Sequence, residues 1–299
     1  MCGIVGLYLK NSALEPRLGE LFEPMLISMT TRGPDSAGFA IYGDEVDERH
    51  VKVTLRHPDP KYDWDALALA ARELDPQLAW HRNAIVAVFK LAADEATVRE
   101  WLARSVPDVR IMSIGRSIEI LKDVGLPADI SRRFGLTRMQ GTHAIGHTRM
   151  ATESAVTLEG SHPFSTGLDL CLVHNGSLSN YNRLRAKLRR EGIEFETEND
   201  TEVAAGYLTW RLMKGDSLTE ALKAALRDLD GFFTFTIGTR EGFAVLRDPI
   251  ACKPAVIAET DDYVAMASEY RALTSLPGIA AARVWEPEPA EIYVWERGS

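Results

Sequence analysis

The stretch MCGIVGLYL, residues 1–9, decides the fold of this chain. Seven uncharged, mostly apolar residues follow Cys2, which is the pattern of a buried strand. Met1 is normally removed when the next residue is small, and its removal would leave a thiol and a free α-amine on Cys2. Because an α-amine has a pKa of about 7.7–8.0, it is able to take the thiol proton and later pass it to a leaving amine. Cys2 by itself is more commonly a packed, inert thiol, and only the rest of the chain reverses that reading.

Four further motifs appear downstream in a fixed order. They are RGPDSAG at 32–38, HTRMAT at 147–152, HNG at 174–176 and NDTEV at 199–203. With the Cys2 start, this ordered set resembles the glutaminase domain of the class II glutamine amidotransferases, which are N-terminal-nucleophile (Ntn) hydrolases. The stand-alone length and the large insertion resemble most closely the amidotransferase subunit of glutamate-synthase-like systems, including N-methylglutamate synthase.

The resemblance implies a nucleophile and an oxyanion hole. Cys2 would attack the side-chain amide carbon of glutamine and form a γ-glutamyl thioester. The Asn175 side-chain amide and the Gly176 backbone N–H would stabilise the developing oxyanion. Taken alone, an Asn-Gly pair after a strand is better read as a turn, and only the other motifs favour the oxyanion role.

The resemblance also implies a pocket for the two charged ends of glutamine. Arg149 would grip the α-carboxylate bidentately, and Thr152 would add a hydroxyl to it. Asp200 would bind the α-ammonium, a role compatible with its other reading as a helix N-cap. Arg32 and Asp35 are expected to support the nucleophile strand rather than to touch substrate.

The pattern of elements predicts an α+β fold, the four-layer αββα sandwich of the Ntn hydrolases. Residues 2–299 form one amidotransferase domain in this interpretation, with an inserted block at about 44–138 that reads β-α-β-α-β-β and has its own packing layer. Helices are predicted within 198–215 and 217–229, the first capped by Asp200 or Thr201 and the second by a Ser-x-x-Glu box. Four short β runs about ten residues apart then predict an antiparallel meander.

Composition indicates which classes of ligand are disfavoured and which cell compartment is expected. The chain has 299 residues, 34 Lys plus Arg and 43 Asp plus Glu, so its formal charge is −9, which disfavours nucleic acid and anionic lipid as ligands. No apolar run is long enough to span a membrane, and three cysteines suit a reducing cytoplasm. His143 and His147 are four residues apart, but they lie in a predicted strand, so no metal site is expected.

Glutamine is therefore the expected small-molecule ligand, and no cofactor is expected in this chain. The 299 residues include no recognisable acceptor domain, so ammonia is expected to pass to a synthase subunit, which could carry flavin mononucleotide (FMN). Two alternatives stay open at this point: an N-terminal-cysteine hydrolase of another amide, and a non-catalytic scaffold subunit. The Arg149 and Asp200 pair argues against the first, and the intact Cys2 and Asn175 argue against the second.

Overall fold

A computed structural model describes residues 2–151 and 156–297 of the chain. The strands within these ranges are β1 (Gly3–Leu9), β2 (Ser36–Tyr42), β3 (Val51–Arg56), β4 (Ala79–Asn83), β5 (Val86–Leu91), β6 (Arg110–Gly115), β7 (Ile118–Val124), β8 (His143–Arg149), β9 (Phe164–Gly167), β10 (Leu170–Leu178), β11 (Gly231–Gly238), β12 (Gly242–Arg247), β13 (Val256–Glu259), β14 (Tyr263–Ala267), β15 (Arg283–Trp285) and β16 (Ile292–Glu296). The α-helices are α1 (Leu18–Ser28), α2 (Trp64–Ala71), α3 (Glu95–Ser105), α4 (Pro127–Phe134), α5 (Tyr181–Arg190), α6 (Asp200–Met213) and α7 (Leu218–Asp228).

Two antiparallel sheets pack face to face and form the centre of the molecule. The first sheet has the strand order β15-β13-β14-β1-β8-β2-β7, and the second has the order β16-β12-β11-β10-β9. Side chains such as Ile4, Ile145, Val173 and Val245 fill the space between them. Every residue of β1 is buried, which explains why this strand reads as an uncharged run.

Helices cover the outer face of each sheet. Helices α1 and α4 pack on the first sheet, where Phe22 and Phe134 join the core of Val5 and Phe39. Helices α5, α6 and α7 pack on the second sheet through a separate apolar cluster that includes Leu172 and Tyr207. These four layers confirm the predicted αββα sandwich.

A third sheet, of order β4-β5-β3-β6, lies beside the sandwich. Helices α2 and α3 cover it, and Trp64, Phe89 and Trp101 are part of its own core. The separate layer is smaller than the predicted 44–138 block, because β7 pairs with β2 in the first sheet and α4 packs on that sheet. Ile120 and Leu121 explain this difference, since they lie in the cores on the two opposite faces of that sheet.

Two local predictions need correction, and one is confirmed. The N-cap of α6 is Asn199 rather than Asp200 or Thr201, and its side chain accepts a hydrogen bond from the Thr201 N–H at 2.8 Å. The predicted meander is two hairpins, β11–β12 in the second sheet and β13–β14 in the first. The capping box of Ser217 and Glu220 is present at α7 as predicted. Among the described helices, none has both the length and the apolar character that a membrane crossing needs.

Candidate active site

Cys2 lies at one edge of the sandwich, directly before β1, and is partly exposed. Its backbone carbonyl accepts a hydrogen bond from Asn175 Nδ2 at 3.3 Å, although Asn175 belongs to the opposite sheet. The same carbonyl accepts from Arg32 Nε at 2.9 Å. The backbone of the predicted nucleophile is therefore held from both sides, and the thiol-bearing residue is next to the predicted oxyanion residue.

Arg32, which contacts the Cys2 carbonyl, is itself held by an acidic residue that the sequence analysis missed. Arg32 Nη1 donates to Glu269 Oε1 at 2.8 Å, and Arg32 is buried. This hydrogen bond and the neighbouring Arg271 hold the pKa of Glu269 below its ordinary value, with burial opposing the effect. Glu269 is 237 residues away from Arg32 in sequence, so no local pattern could have paired them.

Asn175 and Gly176 lie in β10, which is paired with β11 along its length. Asn175 is buried, whereas Gly176 is exposed. Gly176 has φ of +145°, and a Cβ at this position would come within 2.0 Å of the Phe232 carbonyl oxygen. Only glycine fits this backbone without displacing β11. The Asn175 amide is thus a donor beside the Cys2 carbonyl, and the Gly176 N–H is the next backbone donor along β10.

Arg149 ends β8, the neighbour of β1. Gly3 is paired with Thr148, so Cys2 and Arg149 are the next residues outward on adjacent strands. Asp35 braces the Arg149 segment: its N–H donates to the Arg149 carbonyl at 3.1 Å, and its carboxylate accepts from the Ala151 N–H at 2.8 Å. Asp35 also accepts a hydrogen bond from the Gly125 N–H at 2.9 Å, so its support of the nucleophile strand passes through the neighbouring strand β8. Thr152, the other predicted carboxylate ligand, lies outside the described residues.

Asp200 occupies the first position of α6 and faces the end of β10. Its Oδ2 accepts from the Leu178 N–H at 2.9 Å, and its Oδ1 is 3.7 Å from His174 Nδ1. Burial by itself would raise the pKa of Asp200, but the hydrogen bond and attraction of His174, with the N–H groups of Leu178 and Thr201, hold that pKa below its ordinary value. The carboxylate therefore stays ionised at neutral pH, as a ligand for an ammonium must.

A large groove of about 570 Å³ lies elsewhere, between the third sheet and the sandwich. It is lined by Leu170 and Leu212, which lie in β10 and α6 far from Asn175 and Asp200. At 1.5 Å per residue, Leu212 is about 18 Å along the helix from Asp200. The groove is therefore not part of the candidate active site.

Comparison with known proteins shows which family this chain resembles. A family profile described as a glutamine amidotransferase domain matches residues 147–275, which include the segments of Arg149, Asn175 and Asp200. The glutamine amidotransferase-like protein GlxB of Rhizobium meliloti (strain 1021) is 60% identical over 299 residues, covering 99% of this chain and 98% of that protein.

Longer proteins match over part of their length. The amidophosphoribosyltransferase of Methanocaldococcus jannaschii is 33% identical over 183 residues, which cover 60% of this chain and 38% of that protein. The solved structure of the B. subtilis glutamine phosphoribosylpyrophosphate amidotransferase superposes with a TM-score of 0.63 at 21% identity, covering 99% of this chain and 47% of the other. The chain thus shares its fold with about half of that larger enzyme.

Proposed function

The chain belongs to the class II glutamine amidotransferases, glutamine-hydrolysing enzymes of the Ntn type, and from that premise we propose that Cys2 converts glutamine to glutamate and ammonia through a γ-glutamyl thioester. The contact between the Asn175 amide and the Cys2 carbonyl carries the proposal. It places Cys2 beside the Asn175 amide, a donor suited to an oxyanion.

The reaction begins with the free α-amine of Cys2, after removal of Met1. The amine takes the thiol proton, and Sγ forms a bond to the amide carbon of glutamine. Asn175 Nδ2 and the Gly176 N–H stabilise the oxyanion of the tetrahedral intermediate. The C–N bond then breaks, and the leaving nitrogen receives the proton and departs as ammonia. Water, deprotonated by the same amine, attacks the thioester, releases glutamate and restores the thiol.

Recognition of glutamine uses one cation and one anion. Arg149 binds the α-carboxylate, since a guanidinium matches two carboxylate oxygens. Thr152 adds a hydroxyl to the same carboxylate. Asp200 binds the α-ammonium, and its lowered pKa keeps it charged for this purpose.

The ammonia passes to a partner, a synthase subunit of the glutamate-synthase-like or N-methylglutamate synthase type, with FMN on that subunit. The support is the resemblance of the motifs, together with the longer relatives, which extend well beyond the matched region. The three cysteines are free thiols, which supports a cytoplasmic location for the complex.

The nucleophile is tested with Cys2→Ala and Cys2→Ser. Both variants should lose glutamine hydrolysis, because a hydroxyl is a far weaker nucleophile than a thiolate. Cys252→Ala is the matched control, since Cys252 is an exposed thiol of a late loop, and it should keep full activity. Intact-mass measurement of the wild type should show that Met1 is absent. Wild-type activity in Cys2→Ala, or a retained Met1 in active enzyme, would contradict the mechanism.

Recognition is tested with a glutamine analogue that lacks the α-amine. Wild type should bind this analogue much more weakly than glutamine, whereas Asp200→Asn should bind the two similarly. Arg149→Lys should lower kcat/KM, because the charge is kept and the fork is lost. Equal sensitivity of wild type and Asp200→Asn to removal of the amine would exclude Asp200 from the site.

The partner is tested by comparing glutamine turnover of the pure chain with turnover in the presence of the proteins that co-purify from the native host. We expect the partner to raise turnover by completing loops around Cys2. Full activity of the chain alone, unchanged by any co-purifying protein, would favour an independent glutaminase.

A further inference from the structure

Behind the candidate active site lies a buried group of three histidines and one threonine, here called the histidine–threonine cluster. It consists of His147, His162, His174 and Thr201. His147 comes from β8, His174 from β10 and Thr201 from α6, and His162 precedes β9. These elements also carry Arg149, Asn175 and Asp200, but none of the cluster residues takes part in the proposed reaction.

The first contact of the cluster joins the two sheets. His147 Nε2 is 3.1 Å from the His174 carbonyl oxygen. Burial lowers the pKa of His147 to about 3, so the ring is neutral at physiological pH. A carbonyl is an acceptor only, and Nε2 must therefore carry the proton and donate it. The accepting carbonyl belongs to the peptide bond between His174 and Asn175, so this hydrogen bond orients the backbone of the oxyanion residue.

The second contact joins β10 to the helix that carries Asp200. Thr201 Oγ1 lies 3.1 Å from His174 Nδ1 and 3.4 Å from Asp200 Oδ1. His174 Nδ1 is itself 3.7 Å from Asp200 Oδ1. The hydroxyl and the imidazole thus lie against the same carboxylate oxygen. They limit the positions that the Asp200 carboxylate is able to adopt.

His162 completes the cluster from the side. Its ring stacks on His147 with centroids 3.9 Å apart and planes 12° apart, and its Nε2 is 3.3 Å from Thr201 Oγ1. The His162 ring therefore contacts both His147 of the first contact and Thr201 of the second. Buried ring nitrogens remain without a hydrogen bond from any described residue, among them Nδ1 of His147 and Nε2 of His174. Burying such groups costs free energy, which argues that the cluster is present for activity rather than for stability.

We propose that the histidine–threonine cluster is a positioning device for glutamine hydrolysis with two separable branches. His147 sets the Asn175 peptide and hence the oxyanion hole, so its loss lowers kcat. Thr201 and Nδ1 of His174 set the Asp200 carboxylate and hence the grip on the α-ammonium, so their loss raises KM. The inference rests on the proposed function and adds residues that act through Asn175 and Asp200.

The test is a crossed pair of substitutions at the two histidines. A glutamine side chain places its amide near the Nε2 position of histidine, and asparagine places its amide near Nδ1. At His147 the needed atom is Nε2, so His147→Gln should keep kcat and His147→Asn should lower it about tenfold, the equivalent of one hydrogen bond. At His174 the needed atom is Nδ1, so His174→Asn should keep KM and His174→Gln should raise it about tenfold.

The threonine branch has a matched control on the same helix. Thr201→Val should raise KM for glutamine about tenfold, and Thr201→Ser, which keeps the hydroxyl, should restore it. Thr209→Val removes another buried hydroxyl of α6, one that pairs with Thr166 Oγ1 at 2.7 Å. This control should leave KM unchanged. An analogue without the α-amine should bind wild type and Thr201→Val alike.

The outcomes separate this inference from the proposed function. If the wild-type enzyme does not hydrolyse glutamine, the proposed function is wrong, whatever the cluster variants do. If the wild type is active and the asparagine and glutamine variants rank identically at His147 and His174, the inference is overturned. The inference is also overturned if the falls in kcat and the rises in KM simply follow the melting temperatures of the variants and Thr201→Ser does not restore KM. Opposite rankings at the two histidines, with equal melting temperatures, support it.

Discussion

The sandwich and the third sheet place their histidines in opposite ways. The chain has seven histidines. Four lie in the sandwich and are buried, namely His143, His147, His162 and His174, whereas His50, His57 and His81 belong to the inserted region and are partly or fully exposed. Both regions have well-packed apolar cores, so packing quality does not distinguish them.

The difference shows in which region this protein buries polar side chains. An imidazole taken out of water costs free energy unless its nitrogens are hydrogen-bonded. In the sandwich that cost is concentrated beside Cys2, Asn175 and Asp200. The third-sheet region also buries Lys52 and Asp75, but both are paired. The Lys52 ammonium bonds the Gly43 carbonyl at 2.6 Å and Glu119 at 3.0 Å, outside the sheet, and the Asp75 carboxylate accepts from the Gln77 and Ala92 N–H groups, each at 2.9 Å. The third sheet thus depends on apolar packing, whereas the sandwich edge depends on polar contacts. Four experiments test this contrast.

The largest effect is expected on stability in the third sheet. Trp101 is buried in its core, and Trp101→Ala should destabilise this region by about 3–5 kcal/mol. Because Trp101 packs in the third sheet's own core, separate from the cores of the sandwich, kcat measured well below the melting temperature should change by less than about twofold. Unfolding followed by hydrogen exchange, with kinetics in parallel, checks both statements. A parallel fall of kcat would show that the third sheet takes part in catalysis.

Asn175→Ala should have the largest effect on kcat without a comparable effect on stability. Loss of one oxyanion donor lowers kcat by about 10²–10³. Asn180→Ala is the matched control, because Asn180 follows the same strand but its side chain bonds backbone groups at the C-terminal end of α7, the Asp228 carbonyl and the Asp230 N–H. A rise of KM with unchanged kcat would show that Asn175 binds ground-state glutamine instead.

Gly176→Ala should disturb the edge where β10 and β11 meet. The new Cβ would overlap the Phe232 carbonyl, and overpacking of this kind costs about 1–3 kcal/mol. Gly192→Ala separates packing from backbone strain, since Gly192 also has positive φ, at +90°, but has open space around it. Denaturant unfolding should show a larger loss for Gly176→Ala. Equal losses in the two variants would mean that backbone conformation alone makes glycine necessary.

As the pH falls, the sandwich should lose stability before the third sheet does. Burial lowers the pKa of His143 and of His147 to about 3. In the unfolded chain these rings take a proton below about pH 6.5, so the unfolded state binds more protons and stability falls as the pH drops from there towards 3. The slope is up to ~1.4 kcal/mol per pH unit for each histidine.

Hydrogen exchange at pH 7.5, 6.5 and 5.5 measures this order of opening. Peptides of β8 and β10 should lose protection before peptides of β3 and β5. The His147→Gln variant, which has no titrating ring at that position, should show a shallower pH dependence than wild type. Simultaneous loss in both regions would contradict the contrast between them.

Local sequence predicted many of the elements and supplied the candidate site residues. The uncharged run after Cys2 predicted β1, the Ser-x-x-Glu box predicted the start of α7, and the HNG motif placed Asn175 and Gly176 at the end of a buried strand. These features are set by neighbours within a few residues: apolar periodicity, cap hydrogen bonds, and a backbone that only glycine adopts. For that reason they can be predicted without knowledge of the fold.

Tertiary structure alone decided which distant groups meet. The pairing of Arg32 with Glu269, the support of residues 149–151 by Asp35, and the hydrogen bond of His147 to the His174 carbonyl join different elements. It also decided that β7 belongs to the sandwich, since a strand with two apolar faces is compatible with either sheet until its neighbours are known. Such contacts depend on strand order and register, which arise from the packing of the whole chain and leave no mark in any short stretch of it.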